Sequence, residues 1–382
     1  AGYEKYPKKN WRDLIKHKKG VLITDFADLK EFLIIQELKD GLPRIKFINK
    51  KNNKKTEIKF DEKAYQLNFN EGAEYASNLI RVNYSAMNVP ATVYQYNLKT
   101  EKRKKLKQQK IPAGFNKNKY ETKRVFAKSH DGKKIPISIL KLKTTKNNAP
   151  TLLYGYGSYG MSMAPSFSVA RLSLVDRGMV FAIAHIRGGM EKGRQWYLDG
   201  KLRKKKNTFK DFIKSAKFLK NSKISGDLTI HGGSAGGLLI GSTINMAPKL
   251  FKSAVADVPF VDVLNTILDA SLPLTPPEWE EWGNPILNKN DFLNIQSYSP
   301  YDNVRKQEYP SLLVTAGLTD PRVTYWEAAK WVARLRELKT DKNDIFLKTN
   351  MDAGHAGKAG RYHQIDETAF MYSFILNSHN LL

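Results

Sequence analysis

Ser234 stands at the centre of Gly232-Gly233-Ser234-Ala235-Gly236, with the apolar run LTI just before it and LLIG just after. A G-x-S-x-G pattern between a strand and a helix is the signature of a nucleophile elbow. The serine rides on a strained turn, so its neighbours must lack bulky side chains. A glycine-rich turn without chemistry is the plain alternative. A phosphate loop is excluded, since no Gly-Lys-Ser/Thr follows. A serine nucleophile needs a base, and the base needs a group to orient it. Behind an elbow of this kind the chain order is Ser, then Asp or Glu, then His, each on a loop after a strand. SLLVTAGLTDPRV supplies Asp320, and DIFLKTNMDAGHAG supplies His355. Beyond Ser234 the other histidines are His363, where the last helix begins, and His379, in the C-terminal tail. His355, flanked by Gly354 and Ala356, is the base that fits.

LLYGYGSYG contains Gly155-x-Gly157-x-x-Gly160, a literal dinucleotide fingerprint. That motif requires a helix to open at once and an acid about twenty residues on. MSMAPSFS follows instead, with Pro165 and no helical period, so an oxyanion loop beside the elbow is the better role. TPPEWEEWGNP sets Glu278 and Glu280 among tryptophans in what reads as a loop between the elbow and Asp320. It is either a solvated acidic loop or a pocket for a substrate Arg or Lys. No histidine or further carboxylate stands at metal-ligand spacing, so no metal is expected.

These residues need elements to hold them. From Ala149 onward, apolar runs ending in glycine (APTLLYGYG, MVFAIAHIRGG, LTIHGG) alternate with helical spacing, as in NTFKDFIKSAKFLK, TYWEAAKWVARLREL and ETAFMYSFIL. Strands buried on both faces and alternating with helices make a parallel α/β sheet, whose chemistry lies at the strand C-terminal ends. RVFAKSHDGKKIPISILKL reads as a hairpin turned at Asp131-Gly132. Residues 1–115 differ: GVLITDF, EFLIIQEL, RIKFINK, KTEIKF, LIRVNYSAM and TVYQYNL are short β-branched and aromatic runs, the pattern of an antiparallel meander, sandwich or propeller blade. The division expected is a β-rich segment at 1–115 and an α/β domain at 116–382.

Lys plus Arg is 64 and Asp plus Glu 37, a net +27 that raises nucleic acid or an anionic membrane as partners. The lysines are scattered, however, and the densest runs, KKNNKK (50–55), EKRKKLKQQK (101–110) and LRKKKN (202–207), lack aromatics for stacking bases. Neither partner is expected. The absence of cysteine removes disulfides, thiolate catalysis and Cys-based zinc sites. AGYEKYPKKNW lacks a signal-type apolar core, and no run approaches eighteen apolar residues, so the expectation is a soluble cytoplasmic protein.

Together YGYGSYG, AHIRGGMEKG, KKKNTFKDF, GGSAGGLLIG, PLTPPEWEEWGNP, SYSPYDNV, TDPRV and KTNMDAGHAGKAGRY resemble the prolyl oligopeptidase family of serine peptidases, specifically its oligopeptidase B branch. The resemblance runs over roughly residues 120–374. It implies an α/β-hydrolase domain beneath a β-propeller, no cofactor, and cleavage of short peptides after Arg or Lys. It implies Ser234 as nucleophile, His355 as base and Asp320 as orienter, with Tyr156 and the Ala235 amide serving the oxyanion. Glu278 and Glu280 would receive the basic side chain, and Arg322 and Tyr159 would contact substrate. Residues 1–115 suffice for about the last two blades, so a C-terminal portion is expected, either a fragment or the product of a split gene, with a missing N-terminal portion in trans as one candidate partner. Relatives carry two acids just after the YGSYG motif for a second basic side chain; Ala164 and Ser166 stand there. An esterase with the same triad, or an impaired remnant of a split gene, are the alternatives.

Overall fold

A computed structural model describes residues 8–382, the Arg361 side chain excepted. The first seven residues, AGYEKYP, fall outside them, so most of the N-terminal stretch read for a signal core is not described. Three sheets organise the chain. In the first, β1 (Val21–Asp28), β2 (Phe32–Lys39), β3 (Leu42–Asn49) and β4 (Lys55–Ile58) pair antiparallel in chain order. In the second, β5 (Tyr65–Asn70), β6 (Leu79–Ala86), β7 (Val89–Asn97) and β8 (Arg103–Gln108) do the same. Alternation drives both: Phe32, Ile34, Ile45 and Phe47 of one sheet and Leu67, Ile80 and Val82 of the other merge into a single apolar cluster. Two propeller-type blades result. Strands β5 and β8 escaped the sequence reading: YQLNFN alternates Tyr65, Leu67 and Phe69 with polar residues over only six positions, and RKKLKQ is exposed at every position.

The third sheet has eight strands: β9 (Tyr120–Lys128), β10 (Lys134–Leu142), β11 (Ala149–Tyr154), β12 (Val180–Ala184), β13 (Ser225–Gly233), β14 (Ser253–Asp257), β15 (Ser311–Gly317) and β16 (Ile345–Asn350). Their spatial order is β9-β10-β12-β11-β13-β14-β15-β16. Strand β10 is antiparallel to both its neighbours, and the strands from β12 to β16 are parallel. The expected hairpin closes at residues 129–133, where Gly132 takes φ +82°. Every residue of β12 is buried, as a strand covered on both faces must be. One face carries α3 (Lys206–Asn221), α4 (Ala235–Met246) and α8 (Tyr325–Leu338), packed through Phe209, Phe212, Leu238 and Trp331. The other carries α1 (Val169–Val175) and α9 (Arg361–Ser378), through Leu172, Val175 and Ile375. This is the α/β-hydrolase architecture.

Short helices α2 (Arg194–Leu198), α5 (Val263–Leu268), α6 (Thr275–Trp282) and α7 (Lys289–Gln296) complete the C-terminal edge of the sheet. Helix α6 corrects the sequence reading of TPPEWEEWGNP as a loop. Pro276 and Pro277 occupy its first turn, where their missing N–H groups cost nothing, and Gly283 at φ +106° ends it. The blades meet the hydrolase domain at the β2–β3 turn, where the Gly41 N–H donates to the Glu191 carbonyl at 2.7 Å. Among the described residues no helix is long and apolar enough to cross a membrane.

Candidate active site

Strand β13 ends at Gly233 and helix α4 begins at Ala235, leaving Ser234 at φ 55°, ψ −122°. A non-glycine residue held there stores on the order of 1–3 kcal/mol, which the surroundings must supply. They do so through the backbone: the Ser234 N–H donates to the Asp257 carbonyl (2.8 Å), and its carbonyl accepts from Gly237 (2.8 Å) and Phe260 (3.1 Å). Glycine at 232 is compulsory, because a Cβ there would lie 2.4 Å from the Gly236 carbonyl oxygen. Asp257 is itself pinned, with Oδ2 2.6 Å from His231 Nε2 and Oδ1 accepting from the Thr315 hydroxyl at 3.0 Å.

Asp320 follows β15 and His355 follows β16, and the structure brings them together: His355 Nδ1 lies 2.7 Å from Asp320 Oδ2. The other oxygen of Asp320 accepts from the Arg322 and Val323 amides at 2.8 and 3.0 Å. Burial alone would raise this carboxyl, but the His355 contact and the two amides outweigh it and hold it below the ordinary range. An ionised Asp320 fixes Nδ1 as the protonated ring nitrogen and leaves Nε2 to act as base. Among the described residues no hydrogen bond joins His355 to the Ser234 hydroxyl. Ser234 opens onto a cavity of about 320 Å³, and His355 onto a second of about 380 Å³ that Asp257 also lines. Without substrate, catalytic hydrogen bonds are often long and tighten only in the Michaelis complex.

The Ser234 cavity also gathers Tyr156, Tyr159, Ala235, Glu278 and Arg322. Ala235 is the first residue of α4, so its N–H has no acceptor within the helix. Burial pushes the Tyr156 phenol up to about 12, helped by Tyr154, Glu278 and Glu281 and opposed by the neighbouring Ser234 hydroxyl. It is therefore a protonated donor throughout the neutral range. Glu278 Oε2 accepts from the Tyr159 hydroxyl (2.9 Å) and from Trp282 Nε1 (2.6 Å). Glu280 is exposed and is not among the residues lining the cavity. The helix explains the split: positions two apart lie about 200° apart around its axis. The carboxylate that shares the inner face is Glu281, three residues on, which is buried and accepts from the Tyr159 N–H (3.1 Å) and the Tyr197 hydroxyl (2.5 Å). Glu281 and the tie between Glu278 and Trp282 escaped the sequence reading. The two prolines were the signal, since a helix begun there fixes which acids share a face. Arg322 is exposed at the cavity rim and, among the described residues, pairs with no carboxylate.

Comparison with known proteins identifies the family. The family model for the prolyl oligopeptidase family matches residues 165–381, and that for the prolyl oligopeptidase N-terminal β-propeller domain matches residues 4–109. Dipeptidyl aminopeptidase BI of Pseudoxanthomonas mexicana is 45% identical over 97% of this chain and 52% of its own length. Protease 2 of Moraxella lacunata is 40% identical over 96% of this chain and 53% of its own. The structure of oligopeptidase B from Leishmania major superposes with a TM-score of 0.89 at 42% identity, over 96% of this chain and 53% of that one. The chain thus spans about half the length of the relatives it matches. The family-model match over more than half of the chain and the identity to these relatives show that the chain belongs to the prolyl oligopeptidase family.

Proposed function

We propose that this chain carries the catalytic apparatus of a serine oligopeptidase that cleaves short peptides after Arg or Lys. The observation that carries this is the single cavity onto which Ser234 and the Glu278 carboxylate both open. A cationic side chain seated on Glu278 brings the following carbonyl to Ser234. His355 Nε2 takes the Ser234 proton as Oγ bonds to the carbonyl carbon, and the charge gathering on the carbonyl oxygen meets the Tyr156 hydroxyl and the Ala235 N–H. His355 returns the proton to the departing amine as the C–N bond breaks. Water, deprotonated by the same nitrogen, then releases the acyl group and restores Ser234. Asp320 stabilises the imidazolium in both halves. Glu280 contributes at most a long-range field.

A fluorophosphonate probe tests the nucleophile without presuming a substrate. It is expected to label Ser234, with labelling abolished by Ser234→Ala. Labelling that survives the substitution removes the assignment. A panel of blocked Arg, Lys and Ala amides tests the specificity, the Ala amide being expected to resist. The relative named dipeptidyl aminopeptidase BI favours a second reading, release of dipeptides from a free N-terminus. Cleavage of free Ala-Arg amides together with failure on their blocked counterparts would select it.

A further inference from the structure

Lys205 belongs to the run LRKKKN and is the one lysine among the described residues that is fully buried. Burying an ammonium is costly, and a methionine of similar length would fill the space without that cost. No carboxylate lies within ion-pair distance of it among the described residues. Its Nζ donates instead to the Gly157 carbonyl and to the Ser158 hydroxyl, both at 2.7 Å, and faces the Trp282 ring at 4.8 Å. Burial brings its pKa down to about 8; Glu281 on α6 acts to raise it, and Lys201, ahead of the short turn leading into α3, acts to lower it.

Residues 157 and 158 directly follow Tyr156. This loop is fixed at several points. The Gly155 N–H donates to the His231 carbonyl (3.2 Å), the Gly160 N–H donates to the Gly188 carbonyl (2.8 Å), and Glu281 accepts from the Tyr159 N–H. Gly188 presses against the same stretch: a Cβ there would sit 1.8 Å from the Gly157 carbonyl oxygen. Among the described residues, Lys205 is the only side chain hydrogen-bonded to that oxygen. We propose that Lys205 is a positioning residue, whose buried ammonium clamps residues 157–158 so that the Tyr156 hydroxyl stays beside Ser234. The inference rests on the assignment of Tyr156 as an oxyanion donor. An error of about 1 Å in such a donor costs on the order of a hundredfold in rate.

The test is the second-order rate of fluorophosphonate labelling of the full chain, which needs both the activated serine and the oxyanion donors but no peptide. Lys205→Met is expected to slow labelling ten- to hundredfold. In the Tyr156→Phe background it should add less than twofold, because the clamp acts through that hydroxyl. Ser158→Ala, which removes one acceptor and leaves Lys205 in place, should show a smaller loss with the same non-additivity; it decides the matter if Lys205→Met does not fold. Unchanged labelling in Ser158→Ala and in a folded Lys205→Met, or losses that multiply with Tyr156→Phe, overturns the inference while the serine hydrolase reading stands. A wild type that does not label at all overturns both.

Discussion

The blades and the hydrolase sheet both place non-glycine residues in left-handed backbone, but not the same residues for the same reason. In the blades they are Asp40, Asn53 and Glu101, each at a hairpin turn. The short side chains of Asp40 and Asn53 tolerate that conformation, and Glu101 takes it at an exposed turn. The hydrolase domain has turn residues of the same kind, such as Asn148 and Lys223, but it also holds Tyr159, Ser234 and Val258 at positive φ. All three lie just past strand C-termini and line the two cavities. Buried charge divides the same way. Among the described residues of the blades only Glu37 is buried, beside Lys46, whereas the hydrolase domain buries Arg187, Glu191, Asp199, Lys205, Asp211, Asp262, Glu281, Asp320 and Glu327. Strain and desolvated charge are costs that a purely structural sheet avoids: the strained residues and Glu327 line the cavities, and Asp320 holds His355 there, while the Arg187–Asp211 pair lies outside them.

Breaking the comparison where it is sharpest gives the largest effect. Ser234→Ala should cost on the order of 10⁴-fold or more in kcat, measured on a blocked Arg amide. Asp40→Gly, at a positive-φ blade turn, should leave kcat within twofold and shift unfolding by less than about 1 kcal/mol. If Asp40→Gly cost as much as Ser234→Ala, the two kinds of strain would not differ.

The next effect separates two acids of one helix. Gln at 278 can still turn its carbonyl oxygen to the Tyr159 hydroxyl and Trp282 Nε1, so the helix should hold while the charge is lost. A charge-assisted bond in a desolvated pocket is worth roughly 1.5–3 kcal/mol, so Glu278→Gln should lower kcat/KM for Arg substrates about a hundredfold. Glu280→Gln should cost threefold or less. Equal losses would mean that α6 turns both carboxylates to the substrate.

Much of this was legible. The elbow, Asp320 and His355 follow from residue type, order and flanking strands, because a nucleophile, base and orienter must each sit on a strand-end loop. The α/β sheet followed from periodicity; for residues 1–115 periodicity gave only short antiparallel strands, and the two blades came from the family resemblance. What stayed hidden was burial that composition masks. Lys205 looks like any member of a solvated basic run, and only the packing of α3 beneath residues 157–158 sets it apart. Glu280 was paired with Glu278 and Glu281 was passed over, because only a helix gives the three acids their directions. Strand β8 was read as a charge run, since an exposed edge strand of lysines leaves no apolar alternation.

A smaller effect distinguishes a buried carboxylate by pH. Glu327 Oε2 accepts from the Val261 and Asp262 amides (both 2.9 Å), and Oε1 meets the Thr266 hydroxyl at 2.7 Å. Burial raises its pKa from 4.5 to about 7, against the pull of the amide and Thr266 hydrogen bonds. A group with a raised folded pKa contributes fully below its unfolded value, and the contribution fades as pH rises through the folded one. Gln mimics the protonated acid, keeping one acceptor oxygen and offering N–H to Thr266. Between about pH 4.5 and 7, urea unfolding should therefore show the wild type losing up to about 3 kcal/mol relative to Glu327→Gln, by the usual worth of a pKa unit. Parallel pH curves for the two proteins would show that Glu327 does not titrate in that window.

The smallest effect belongs to the most conspicuous charge. Lys104, Lys105 and Lys107 lie on β8, exposed, and among the described residues pair only through the backbone to β7. Exposed lysines on an edge strand discourage further strand pairing and contribute little to stability, so replacing all three with Gln should move unfolding by no more than about 0.5 kcal/mol each. Their field acts on substrate only at long range. At physiological ionic strength it is screened within about 8 Å, and at 0.01 M salt it reaches about 30 Å. A cationic peptide approaching a chain of net charge +27 should therefore gain less than twofold in kcat/KM from the triple substitution at physiological salt, and a few-fold at low salt. The measurement is kcat/KM for an Arg-Arg amide at the two salt concentrations. A tenfold change that persists at physiological salt would put β8 in direct contact with substrate, and the blades would then take part in the chemistry that the comparison assigns to the hydrolase sheet.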